Sequence, residues 1–196
     1  MNEQERAAQN LETIRSMMQR ATVYRMISGP TALFAGVLVF VTVLFAPFDS
    51  WDWKLTWFCV AGLVMALNTM LVVAKAKKEN ASVFSPGLRM GLRALLPAMI
   101  IGFFIGAIEP RGYSPIILSW VWMLCYGVAL MSTGSFAPRS LWLLGAAFML
   151  SGLYCFYRWP TGFHESIGGS TLMAITFGGY HLIYGLYVIF IENKRS

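Results

Sequence analysis

His181 is the residue in this chain whose type and setting are best suited to chemistry. It lies inside TLMAITFGGYHLIYGLYVIFI, an otherwise apolar run that ends at Ile191. An imidazole titrates near neutrality, so it can relay a proton, ligate a metal or contact a ligand. Read as a helix, Ala174, Gly178, His181 and Gly185 follow at steps of four, three and four and share one face. Their small side chains let a neighbouring helix approach closely. Phe177, Tyr180, Tyr184 and Tyr187 form a second stripe beside the first. The pattern is a polar seam in an apolar helix, with His181 at its centre and the hydroxyls of Tyr180 and Tyr184 alongside. Ionisable groups at such depth are costly and tend to be functional. The plainer reading is a neutral imidazole bonded across to another helix. Its partner would be Asn68, the carboxamide within an apolar run, or a hydroxyl such as Ser132 or Thr133.

A second constellation lies between the apolar runs: Glu109, Arg111, Arg158, His164 and Glu165. Carboxylate and imidazole together suit zinc or manganese. No His-x-x-x-His or Glu-x-x-His spacing is present, however, so no metal site is expected and solvated loop charges are the simpler account. Bis-histidine haem is excluded by distance, because His164 and His181 stand about 25 Å apart along a helix at 1.5 Å per residue. Cys59, Cys125 and Cys155 fall inside apolar runs and form no Cys-x-x-Cys pair, which leaves them as packed thiols. The chain has no phosphate-binding glycine loop, no Gly-x-Ser-x-Gly nucleophile, no arginine ladder and no Thr-Val-Gly-Tyr-Gly filter. No cofactor can be named from the sequence.

These residues must be positioned by membrane helices. Of the 196 residues, 57% are hydrophobic and 12% charged, against about 25% charged in a soluble domain. Six apolar runs, approximately 31–48, 55–74, 94–108, 116–136, 141–157 and 171–191, fill most of the chain. Each approaches the ~20 residues that span a hydrocarbon core of roughly 30 Å. The expected fold is all-α: a polytopic membrane protein of six transmembrane helices in three hairpins. Each hairpin turns outside through a loop rich in proline, aromatics and charge.

With both termini cytoplasmic, the inner segments hold 12 of the 15 Lys and Arg residues and the outer segments hold Lys54, Arg111 and Arg158. This asymmetry predicts an N-in, C-in topology and a bacterial cytoplasmic (inner) membrane. The formal charge of +6 then reads as a topology signal and as attraction to anionic lipid headgroups, not as a nucleic-acid surface.

Before the first run, Leu11, Ile14, Met17, Met18 and Ala21 share one helical face, with Arg15, Gln19 and Arg20 away from it. This predicts an amphipathic helix over 11–22 lying at the cytoplasmic interface. Ser28-Gly29-Pro30 then breaks the chain, with Pro30 suited to a first helical turn. Residues 1–28 form this cytoplasmic segment and 29–196 a single transmembrane domain. Ser85-Pro86-Gly87 reads as a turn in the longest inner loop. Gly102 and Gly106 form a Gly-x-x-x-Gly for packing within the bundle or between copies in a homo-oligomer. Trp51, Trp53, Trp57, Trp120, Trp122 and Trp159 gather near the outer ends; they suit an interfacial belt or the walls of a cleft.

Three functions fit this reading. The first is binding or translocation of a small molecule or ion through the seam around His181. The second is a regulatory or scaffolding protein acting through its basic cytoplasmic face. The third is a membrane-embedded enzyme on a lipid-like substrate, built on Glu109, Arg158, His164 and Glu165.

Overall fold

The computed structural model describes residues 4–13, 29–45, 53–78, 86–108, 114–158 and 167–192. Among the described residues there are helices and turns and no strand. Residues 4–13 form a short exposed helix, α1. The apolar helices are α2 (Gly29–Phe45), α3 (Trp53–Lys78), α4 (Pro86–Ile108), α5 (Pro115–Gly134), α6 (Arg139–Arg158) and α7 (Gly169–Ile191). Five of them are long and apolar enough to cross a membrane, and α2, at 17 residues, is a shorter apolar helix. The chain thus has the make-up of an integral membrane protein. Of the amphipathic helix expected over 11–22, only 11–13 lie within the described residues.

Two boundaries depart from the expectation. Pro86 and Gly87 do not turn the chain but open α4, whose helix then runs through Pro97 to Ile108. Proline lacks the N–H that a first helical turn leaves unpaired anyway, so it starts a helix without loss. At the other end, α3 continues past the apolar run through Lys75, Lys77 and Lys78, cations that suit the negative end of a helix dipole.

Glycine determines which helices meet. Between α5 and α6, Gly127 faces Gly145, while Gly134 of α5 abuts Trp142 of α6 and Gly152 of α6 abuts Leu124 of α5. A Cβ on Gly127 would stand 2.7 Å from the Met149 nitrogen, and one on Gly145 would stand 2.7 Å from the Met131 nitrogen. The α2–α7 pair repeats the device. Gly29 and Gly36 lie against Gly185 and Gly178, and a Cβ on Gly36 would sit 2.9 Å from the Gly178 oxygen. With backbones this close, dispersion replaces the hydrophobic effect that lipid cannot supply between helices. The Gly102–Gly106 motif serves the same purpose inside the chain: Gly102 abuts Cys125, and Gly106 abuts Trp122 and Phe58. The closest neighbours are therefore α2 with α7, α4 with α5 and α5 with α6, so packing does not follow three consecutive hairpins. The α5–α6 connection is a tight turn closed by Phe136 N–H donating to the Thr133 carbonyl.

Tryptophans join the helices at one end of the bundle. Trp53 and Trp57 are buried, and Trp53 stacks on Trp122 at 5.5 Å. Trp53 Nε1 donates to Ser170 Oγ at 2.9 Å, and Trp122 Nε1 donates to the Gly102 carbonyl at 3.0 Å. These rings join α3, α4, α5 and α7. Tyr154 and Tyr157 are exposed, as belt residues should be.

Candidate functional site

The last helix departs from ideal geometry at the site. α7 begins as an α-helix over Gly169–Met173, widens to a π-helix over Ala174–Tyr180, returns to α over His181–Tyr187 and widens again over Val188–Glu192. Such i→i+5 segments are rare and recur at functional sites. The wider turn separates two faces that α-helical spacing would merge. Gly178 and Gly185 turn towards α2, where they meet Phe40 and Leu33. His181 turns instead towards α5 and α6. The single seam expected from Ala174, Gly178, His181 and Gly185 is thus two surfaces with different partners.

His181 uses both ring nitrogens. Nδ1 lies 2.7 Å from the Phe177 carbonyl and Nε2 lies 2.9 Å from Tyr126 Oη. A carbonyl can only accept, so Nδ1 carries the proton. In the neutral ring Nε2 is then bare and accepts from the Tyr126 hydroxyl. Next to it, Tyr180 Oη and Ser151 Oγ lie 2.6 Å apart. Both polar contacts bridge α7 to the α5–α6 hairpin through consecutive residues, 180 and 181.

An aromatic shell surrounds the network. Phe148, fully buried, meets Tyr126 edge-on at 4.9 Å and Tyr180 at 5.1 Å. Phe177 lies nearly parallel to the imidazole at 6.2 Å. Edge-to-face contacts of this kind add about 0.5–1.5 kcal/mol beyond burial. The arrangement constrains the chemistry. A proton arriving at Nε2 makes that atom a donor, so Tyr126 Oη must accept and release its own hydrogen elsewhere. Proton uptake at His181 would therefore require the Tyr126 hydroxyl to turn its hydrogen away from Nε2.

The other expected site residues are placed as follows. Tyr184 is buried one turn beyond His181, in the core against which Tyr126, Phe177 and Tyr180 pack. Asn68 does not join the network. Trp53 and Ser170 are hydrogen-bonded and so share a level; from there Asn68 lies about 22 Å along α3 and His181 about 16 Å along α7, at 1.5 Å per residue. Thr133, another of the expected partners, returns its hydroxyl to the Ala129 carbonyl at 2.9 Å. The partner is Tyr126, which the sequence reading passed over. The signal was depth: Tyr126 and His181 are the central residues of the runs 116–136 and 171–191. Of the outer cluster, Glu109, Arg111, His164 and Glu165 lie outside the described residues, and Arg158 ends α6, half-buried. No group of His, Cys, Asp and Glu fit to hold a metal occurs among the described residues. All three cysteines are free.

No family model, curated protein or solved structure matches this chain.

Proposed function

We propose that this is a six-span membrane protein, both termini cytoplasmic, that binds or translocates a small cation, in the simplest case a proton, through the layer occupied by His181. The observation that carries the reading is the His181–Tyr126 contact at 2.9 Å, made on a π-helical turn inside an aromatic shell. An ionisable ring at mid-depth with a hydroxyl partner on a second helix is what a proton-handling site requires. Tyr180 and Ser151 give a second hydroxyl pair at the same level. The bacterial inner membrane is the setting that the charge asymmetry supports.

Proton flux into sealed liposomes containing the full chain tests the proposal, with a trapped pH-sensitive dye and an imposed gradient. The wild type is expected to conduct. His181→Asn and Tyr126→Phe are expected to fold and to lose about tenfold or more of the flux, the usual scale for losing one proton-transfer group. Equal flux in wild type, both variants and protein-free liposomes overturns it.

A second reading has its own support. Lys75, Lys77, Lys78, Arg89 and Arg93 are exposed at the facing ends of α3 and α4. Near an anionic surface each is worth about 1 kcal/mol. A regulatory protein recruiting anionic lipid to this face would bind vesicles rich in phosphatidylglycerol more tightly than neutral ones. It would keep that preference in His181→Asn.

A further inference from the structure

The imidazole of His181 stands in for its own backbone. In an α-helix each amide donates to the carbonyl four residues back. At 181 that acceptor would be Phe177. The His181 N–H donates instead to the Gly178 carbonyl, three residues back. The Phe177 carbonyl is met by Nδ1–H of the same residue, at 2.7 Å. A side chain that donates to the carbonyl four residues back competes with the backbone for it. The exchange falls where the π-helical stretch Ala174–Tyr180 ends and α-winding resumes.

The wide turn reconciles two sets of contacts. Before it, the start of α7 is fixed: Ser119 Oγ donates to the Gly169 carbonyl at 3.2 Å, and Trp53 Nε1 donates to Ser170 Oγ. At its far end and beyond, Gly178 and Gly185 lie against Phe40 and Leu33 of α2, while Tyr180 and His181 bond to Ser151 and Tyr126. A π-turn, with its i→i+5 bonds, turns each residue by less than the ~100° of an α-helix. Closing Ala174–Tyr180 to α-winding would rotate everything from His181 onward against the fixed start, and the two sets of contacts could not both be kept. Gly179 offers little resistance to such a change, since a Cβ there would meet only the Ala174 oxygen, at 4.0 Å.

We propose that His181 sets the winding of α7. Its Nδ1–H bond to the Phe177 carbonyl holds the turn wide, and the wide turn aims Nε2 at Tyr126. When the ring leaves that carbonyl, the amide of residue 181 takes its place, the turn closes to α and residues 181–187 rotate. His181 is in this respect a positioning residue: one side chain couples the polar contact at the site to the facing of the helix beyond it. The inference does not depend on which ion the site handles.

Two measurements on the full chain in lipid bilayers test this. The dipeptide Phe-Gly occurs once, at 177–178. Phenylalanine labelled with carbon-13 at the carbonyl, combined with nitrogen-15 glycine, therefore gives a solid-state NMR cross-peak from the Phe177 carbonyl alone. The facing of the helix is read from nitroxides attached singly through Ile183→Cys and Leu186→Cys, at exposed positions, in a cysteine-free background. Residues three apart lie ~60° from each other on an α-helix, so rotation carries one of them towards lipid and the other away. His181→Phe is expected to move the cross-peak and to change the ratio of the two oxygen accessibilities about twofold or more. Tyr126→Phe, which leaves the Phe177 bond in place, is expected to change neither. Where the phenyl ring impairs folding, His181→Leu makes the same test. A moved cross-peak with an unchanged ratio overturns the proposal, because the bond would then not hold the winding. An unmoved cross-peak overturns it too, as does a ratio that changes equally in Tyr126→Phe.

Discussion

The helices α5 and α3 have similar composition and opposite surroundings. In the apolar window of α5, 44% of residues are buried within the chain, whereas in α3 the share is 6%. Both are apolar and of membrane-spanning length, so hydropathy does not distinguish them. The difference lies in what each offers a neighbouring backbone. α5 sets Gly127 against Gly145 of α6 and Gly134 against Trp142, and it receives Gly102 and Gly106 of α4. α3 offers Gly62 to open space and attaches through tryptophans at one end. In a solvent as apolar as the side chains themselves, close backbone approach decides which helices form the body and which remains an arm.

The largest test of this contrast is a substitution in the body. Gly145→Leu places a side chain where a Cβ alone would already lie 2.7 Å from the Met131 nitrogen. Neither backbone can yield without parting α5 from α6. The expected cost is about 3 kcal/mol, the upper end of overpacking. Thermal unfolding in mild detergent, followed by loss of the monodisperse chromatographic peak, measures it. A melting point within a degree of wild type would mean that the glycine contacts do not hold the body together.

The polar stitches of α7 should matter less. Tyr126→Phe removes the donor to His181 Nε2 and leaves a buried nitrogen bare, a cost of about 1–2 kcal/mol. His181→Phe strands the Tyr126 hydroxyl and frees the Phe177 carbonyl, with an effect of the same size. Because both changes break one bond, the double variant should be no less stable than the worse single variant. Fully additive melting shifts would show that the 2.9 Å contact contributes nothing.

How much of this was legible follows from what each kind of residue reports. Apolar runs mark helices because backbone groups in lipid must be satisfied within the segment, so the six expected runs and the observed helices α2 to α7 agree within a turn or two. The Gly-x-x-x-Gly at Gly102 was readable as a contact, but the contact at Gly127 and Gly145 was not, because a two-turn spacing carries no short motif and its partner lies on another helix. His181 stood out by its chemistry. Its facing did not, since the spacing rule assumes α-helical winding and Ala174–Tyr180 is π-helical. Tyr126 was hidden for a related reason: a tyrosine in an apolar helix looks like packing until its depth is compared with that of the histidine.

A smaller effect is expected at the clamp that holds the arm. Trp53→Phe keeps an aromatic ring against Trp122 but loses the bond to Ser170, at a cost of about 1 kcal/mol. Local behaviour should change more than global stability. Hydrogen exchange of the 61–78 backbone should quicken, while exchange in α5 and α6 stays as it was, because loosely packed elements open below the global limit. Uniform quickening across α3, α5 and α6 would make α3 part of the body.

The smallest expected effect is at Gly62, and it is the sharpest partner to Gly145→Leu. Both substitutions place leucine for glycine in the middle of an apolar helix, so helix propensity favours each by the same amount, about 1 kcal/mol relative to glycine. Only the surroundings differ. At Gly62 the new side chain meets no protein atom within 4 Å of its Cβ and extends into lipid, where leucine is at home. Gly62→Leu should therefore leave the melting point within the range of a neutral surface change, about 0.5 kcal/mol, or raise it slightly. A destabilisation approaching that of Gly145→Leu would mean that a second molecule occupies the face of α3 that is open in the single chain. The glycine at 62 would then do between chains what Gly127 and Gly145 do within one.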